Sequence, residues 1–293
     1  MTFTRVWTGV AEGGRLGPQS GGMTSAGDQA WIPRDVDLST PSVARIYDCL
    51  LGGAHNFDAD RRIAQRLTAI QPNVAAIARR NRAFMRRAVR FLLQQGIRQF
   101  LDLGSGIPTV GNVHEVAQET DPAARVVYVD YEPVAVAHSS LLLEGNPLAS
   151  AVRADVTEPA RVLDSDPVRE LLDLTKPVGL LAIAVGHYLS PDADVPAVFA
   201  GYRDALAPGS YLAMTHLTND FVALSDPRVA ETMRSTADHI YPRTRADVLG
   251  LFDGFDLVEP GLTTTANWRP DSVTAAVDPQ DDGLYAAVGL KPS

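Results

Sequence analysis

Short apolar runs alternate with stretches of helical period along this chain, and the alternation is most regular between residues 99 and 215. An apolar run ends at Asp102. Arg125 to Asp130 is short, β-branched and closes on a carboxylate, and Ala151 to Asp155 also ends in aspartate. Val178 to Val185 is nearly all apolar, as expected for a central parallel strand buried on both faces. Ser210 to Thr215 predicts a fifth strand, Gly254 to Glu259 a sixth and Leu284 to Leu290 the last. Between the early strands, residues 110–119, 133–144 and 159–173 carry helical periodicity. This β-α-β-α-β-α-β order predicts an α/β fold with a parallel, doubly wound sheet.

The flanks differ from this core. Residues 1–38 are rich in Gly, Ser and Pro without periodicity, which predicts a flexible tail. Residues 39–95 predict a helical unit, broken at Gly52-Gly53 and at Pro72. The sheet domain spans 96–291, with a second helical insertion at about 217–250.

The strand ends carry the chemistry. After Asp102 the chain runs Leu-Gly104-Ser105-Gly106, and the glycines permit backbone angles and close ligand approach that a Cβ would block. Pro108 suits the first position of a following helix, whose unpaired N–H groups favour anions. Ligands of doubly wound sheets bind at the carboxyl ends of the strands. Here those ends hold Gly104 to Gly106, Asp130, Asp155 and the loop from Ala184 to His187. A carboxylate after the second strand is placed for ribose hydroxyls, and one after the third for an adenine amino group. The pattern describes an adenosine pocket. A dinucleotide fingerprint would need a third Gly or Ala where Thr109 stands, which weakens an NAD reading. A phosphate loop of the Gly-Lys-Ser/Thr type is excluded, because Lys176 and Lys291 are the only lysines.

With those residues in view, the chain resembles the class I S-adenosylmethionine-dependent methyltransferases. More narrowly, it resembles an actinobacterial methyltransferase family once listed as a domain of unknown function. The resemblance rests on Ile97 to Ala117, Ala44 to Gly53, Asn56-Phe-Asp58, Asp60-Arg61, Asn81 to Phe84, Ala207 to Leu212 and Trp268 to Asp271, and covers about residues 40–291. It implies a Rossmann-like, seven-stranded sheet of order 3-2-1-4-5-7-6 with the last strand antiparallel and an N-terminal helical cap. It implies S-adenosylmethionine as cofactor, held by Asp102, Gly104, Ser105, Gly106, Asp130, Tyr131, Asp155, Val156 and Ala184, with Arg82 the candidate for its carboxylate. One departure is Gly186, where the family usually has a bulky residue before the histidine.

Catalysis of methyl transfer needs alignment more than a base. His187, directly after the fourth strand, is the base candidate, with pocket shaping as its other reading. Tyr47, Asn56, Phe57, His216 and Tyr241 are candidates for acceptor or lid contacts. The net charge of -9 disfavours nucleic acid as partner, and the arginines at 79, 82, 86 and 90 read as a mainly solvated helix face. The lone Cys49 excludes an internal disulfide and a cysteine-based metal site; it sits in an apolar run that predicts a buried, inert thiol. Apolar runs are too short to span a bilayer, and no charged then apolar leader opens the chain. The expectation is a cytoplasmic enzyme, without a metal, that methylates a small molecule. A cofactor-binding regulator without turnover and an NAD-dependent oxidoreductase are the alternatives.

Overall fold

The computed structural model describes residues 37–293 apart from 109–110, 222–223 and 273–276. The tail expected at 1–38 and the fingerprint position Thr109 therefore lie, but for residues 37 and 38, outside the described residues. Three helices come first: α1 (Val43–Leu51), α2 (Asp58–Ile70) and α3 (Val74–Gln94). Gly52 closes α1 in the left-handed region at φ 85°, a conformation that glycine adopts without steric cost. In α3, Ile77, Phe84, Ala88 and Leu92 recur at helical spacing and are buried, which seats the helix on the sheet.

The sheet follows with β1 (Gln99–Leu103), β2 (Arg125–Asp130), β3 (Ala149–Arg153), β4 (Gly179–Ile183) and β5 (Tyr211–Leu217), then β6 (Asp256–Leu257), β7 (Thr263–Thr264) and β8 (Leu284–Leu290). Its order is β3-β2-β1-β4-β5-β8-β6, with β7 also pairing β8. The first five strands pair in parallel, and β8 runs antiparallel to β5. This is the expected Rossmann-like order with one addition, since the two-residue β7 makes the last long strand the eighth. Every residue of β5 and of β1 is buried, as strands covered on both faces must be.

The third strand starts two residues earlier than expected and the sixth is only Asp256–Leu257, and three helical segments also depart from the sequence pattern. The helix after the glycine loop, α4 (Val113–Thr120), begins beyond Pro108, because Glu115 accepts from the N–H groups of Gly111 and Asn112 and fixes the start there. The segment 159–173 divides into α6 (Pro159–Leu163) and α7 (Asp166–Leu171), with Pro167 in the first turn of the second. The region 217–250 is only partly helical. It contains α9 (Pro227–Met233) and α10 (Arg245–Gly250), joined by irregular chain that carries Asp238 and Ile240. The helices α5 (Pro133–Leu142) and α8 (Val195–Ala205) complete the layers.

Two apolar layers flank the sheet. One gathers Leu103, Val129, Leu180, Phe199 and Met214; the other gathers Phe84, Leu92, Phe100, Val126 and Trp268. Trp268, fully buried, meets Phe84 and Phe91 edge to face at 5.3 and 5.7 Å. Arg87, one residue past Arg86 of that arginine face, is buried and donates to the carbonyls of Thr265 and Trp268. Cys49 is half-buried, and burial raises its thiol pKa.

Candidate active site

A cavity of about 420 Å³ opens at the carboxyl ends of the strands. It is lined from the sheet by Asp102, Gly104, Ser105, Gly106, Asp130, Tyr131, Asp155, Val156 and Ala184. Tyr47 of α1, Arg82 of α3 and His187 of the 3-10 turn Gly186–Tyr188 also line it. Asn56, Phe57, His216 and Tyr241 do not line it, although all four are in the pattern expected to reach the ligand.

The glycine loop is shaped by two different constraints. Gly104 and Gly106 both have φ 64°. A Cβ on Gly104 would lie 2.4 Å from Val185 Cγ2, so this glycine lets the loop pack on the turn after β4. A Cβ on Gly106 would meet nothing within 4 Å, and it would project into the space a ligand backbone contact needs. The Gly106 N–H donates to Asp130 Oδ2 at 2.7 Å, and the Glu132 N–H donates to Asp130 Oδ1 at 2.9 Å. Each oxygen keeps lone pairs for a ligand hydroxyl, while burial raises the pKa of the carboxyl.

Asp102 is buried beneath this loop. Burial pushes its pKa up to about 7, against the opposing field of the Arg82 guanidinium. Arg82 donates through Nη2 to Gly111 O and Asn112 Oδ1, both at 3.2 Å, and its buried Nε has no partner in the protein. A buried orphan guanidinium N–H is costly unless a ligand takes it. Asp155 accepts from the Thr157 N–H at 2.8 Å and hydroxyl at 2.7 Å through one oxygen.

The histidines divide sharply. The Leu217 N–H donates to His187 Nδ1 at 3.2 Å, so the neutral ring carries its proton on Nε2. Burial and the neighbouring His216 and Arg243 hold its pKa well below the usual histidine range. Nδ1 is taken up by the bond from Leu217, and the ring's other nitrogen presents an N–H donor. His216 is fully buried behind it, bonded through Nδ1 to Leu217 O at 2.7 Å and through Nε2 to Arg243 at 2.9 Å. Burial takes its pKa down to about 4. Gly186 is small because a Cβ there would lie 2.9 Å from the His216 ring.

Polar side chains that the sequence pattern did not single out also line the cavity, among them Glu132, Tyr188 and Asp238, together with Asn81, which lies within a string of the resemblance. Asn81 sits in a chain of hydrogen bonds with one direction. The Ala184 N–H donates to Thr215 Oγ1 at 2.8 Å, Thr215 donates to Asn81 Oδ1 at 2.7 Å, Asn81 Nδ2 donates to Tyr47 Oη at 2.9 Å, and Tyr47 donates to Ala78 O at 3.0 Å. Asp238 accepts from the Tyr131 hydroxyl and from the Val43 N–H at 3.5 Å, joining the irregular chain after α9 to β2 and α1. The position of Tyr188, next to His187 at the end of β4, was the signal available for it.

The four candidates off the cavity have other partners. Asn56 donates to Asp48 Oδ2 at 2.8 Å and to Gly53 O at 2.9 Å, fixing the turn after α1. The Phe57 ring lies under the Arg45 guanidinium at 5.5 Å. Tyr241 contributes its backbone N–H to His187 O at 2.7 Å.

Residues 29–292 match the model of a family described as S-adenosyl methyltransferase. The chain belongs to this S-adenosyl methyltransferase family. Its fold is similar to that of a protein of Thermobifida fusca YX described as a candidate methyltransferase, with 42% identity and a TM-score of 0.84 over 90% of this chain and 100% of that one. It is also similar to a DUF574 family protein of Streptomyces avermitilis MA-4680, with 38% identity and a TM-score of 0.83 over 87% of this chain and 99% of that one. No curated protein matches the chain. S-adenosylmethionine is the cofactor of the family, and the site fits it on its own chemistry. Gly106 leaves an open cradle, each oxygen of Asp130 keeps a lone pair free, and Arg82 Nε has no protein partner. No helix among the described residues is long and apolar enough to cross a membrane.

Proposed function

We propose that this methyltransferase transfers a methyl group from S-adenosylmethionine to an oxygen or nitrogen of a small molecule. The observation that carries this reading is the continuity of one cavity. It runs from Asp130 and Asp155 at the strand ends to a chamber walled by Leu50, Ile77, Met233 and Ile240. A cofactor site open to an apolar chamber is the arrangement that brings a methyl donor and an acceptor together without water.

In this reading Asp130 accepts from the ribose hydroxyls and Asp155 from the adenine amino group. Arg82 holds the carboxylate, and Asp102 faces the ammonium. The bound cofactor would supply a methyl group on a sulfonium, from which a neutral thioether is a good leaving group. The protein's part is then to align the acceptor and exclude water, worth about 7–11 kcal/mol when geometry is well held. Residues 39–95 act as a lid over both ligands, with Tyr47 at the boundary between them. The protein works in the cytoplasm.

Isothermal titration of the full chain tests this directly. Binding of S-adenosylhomocysteine with no binding of NAD is the expected result, and the reverse would sink the reading in favour of an oxidoreductase. Uptake of S-adenosylhomocysteine with no methyl transfer to any metabolite of a broad panel would favour a regulatory protein.

A further inference from the structure

We propose that the acceptor is an uncharged, largely apolar nitrogen base, methylated on a nitrogen lone pair without help from a protein base. This deepens the methyltransferase reading and rests on it.

The first argument is charge. The charged side chains lining the cavity among the described residues are Arg82, Asp102, Asp130, Glu132, Asp155 and Asp238. Arg82 and Asp102 face each other beside β1, and Asp130, Glu132 and Asp155 follow β2 and β3. Asp238 is bonded to Tyr131, next to Asp130. In the sheet, β1, β2 and β3 lie to one side of β4, while β5 and β8 lie to the other. On that other side the lining is Leu217 and Leu284 from the strands, with Leu67, Leu224, Met233 and Ile240 above them. An ion placed there would lose its hydration without gaining a partner. Carboxylates, phosphates and permanent cations are therefore poor acceptors.

The second argument is the fate of lone pairs. His187 Nδ1 is occupied by the Leu217 N–H, Asn81 Oδ1 by Thr215, and the Tyr47 hydroxyl already donates to Ala78 O. What these groups offer inward are donors: the His187 Nε2–H and the second N–H of Asn81. Tyr188 adds a phenol whose pKa burial raises, so that it too is a donor. None of these removes a proton.

The chemistry follows. A neutral hydroxyl attacked by a methyl group must shed its proton; His187, Asn81, Tyr47 and Tyr188 cannot receive it, and the oxygens of the Asp238 carboxylate are already engaged by the Tyr131 hydroxyl and the Val43 N–H. A neutral nitrogen needs no such help: its lone pair forms the new N–C bond as the S–C bond breaks and the electron pair of that bond stays on sulfur. One positive charge exists before and after, moved from sulfur to nitrogen, so no ion pair is created in an apolar space. Where the nitrogen carries a hydrogen, the cationic product gives it to water after release. The inward donors are left to hold a second lone pair elsewhere on the molecule.

Three bicyclic probes of matched size test the chamber: quinoline, 1-naphthoate and N-methylquinolinium, titrated by calorimetry into the full chain saturated with S-adenosylhomocysteine. Quinoline is expected to bind at least tenfold more tightly than either ion. An ion binding as tightly as quinoline, or no binding by any of the three, overturns the proposal. Failure of the chain to bind S-adenosylhomocysteine sinks the methyltransferase reading instead. Turnover then separates nitrogen from oxygen. N-methyl-1-naphthylamine is expected to be methylated at least tenfold faster than 1-naphthol. Equal or faster methylation of 1-naphthol, or refusal of both although quinoline binds, overturns the assignment.

Discussion

Arg45 Nη1 lies 3.0 Å from Glu132 Oε1, and this ion pair, buried at 2% and 9% side-chain exposure, joins the first helix to the turn after β2. The same guanidinium bonds Asp60 of α2 at 3.0 Å, so one side chain gathers two N-terminal helices against the cofactor end of the sheet. Removing one member of a buried pair leaves the others charged and unpaired. Arg45→Ala is therefore expected to cost about 3–5 kcal/mol in stability, read by urea denaturation. A loss below about 1 kcal/mol would mean that water reaches the cluster.

Asp130→Ala removes the acceptor proposed for the ribose hydroxyls. Loss of a hydrogen bond to a charged group is worth about 1.5–3 kcal/mol, or roughly ten- to a hundredfold in affinity. Titration with S-adenosylhomocysteine checks it, and an unchanged affinity would refute the ribose assignment.

The two glycines of the loop should fail differently. Both sit at φ 64°, where any side chain is strained. Gly104→Ala adds a collision with Val185 and is expected to lower the melting temperature more. Gly106→Val should lose cofactor binding while the fold persists. Calorimetry and thermal melting on both variants separate the effects, and normal binding by Gly106→Val would exclude close backbone approach there.

Asp102 sets a pH dependence. Burial holds its pKa up to about 7 in the folded chain, above the ordinary carboxylate value of 3.8. The folded state therefore binds this proton more tightly than the unfolded one. The group's contribution to stability is full below the ordinary value and is lost as pH rises towards 7. A cofactor ammonium facing the carboxylate favours the ionised form, so affinity for S-adenosylhomocysteine should rise between pH 5.5 and 7.5 and then level. Asp102→Asn should flatten that rise. An identical pH profile in the variant would separate Asp102 from the ligand.

The strand ends were legible in the sequence because carboxylates and glycines there interrupt otherwise apolar runs, and the order of elements followed from their alternation. What the sequence hid were relationships across distance. Glu132 looks like an ordinary helix start before Pro133, and its burial depends on Arg45, 87 residues away. The segment 159–173 has one helical period, yet Pro167 starts a second helix within it. Among the candidate residues, Asn56, Phe57, His216 and Tyr241 are polar or aromatic groups in elements expected to border the pocket. Their side chains or backbones serve Asp48, Arg45, Arg243 and His187 rather than the cavity. Only packing reveals which way such a residue faces. Asn81 stood within a string already marked, but its role needed Thr215 from β5 to be in place.

The hydrogen-bonded chain from Ala184 to Ala78 begins on a backbone N–H and ends on a backbone C=O. Its direction is therefore fixed by groups that substitution cannot alter, and Thr215, Asn81 and Tyr47 inherit their orientation from those two ends. The apolar walls opposite, contributed by separate helices and the chain after β5, are under no such constraint. Relatives of this enzyme could thus exchange acceptors by redrawing one wall of the chamber while the other keeps the same polarity.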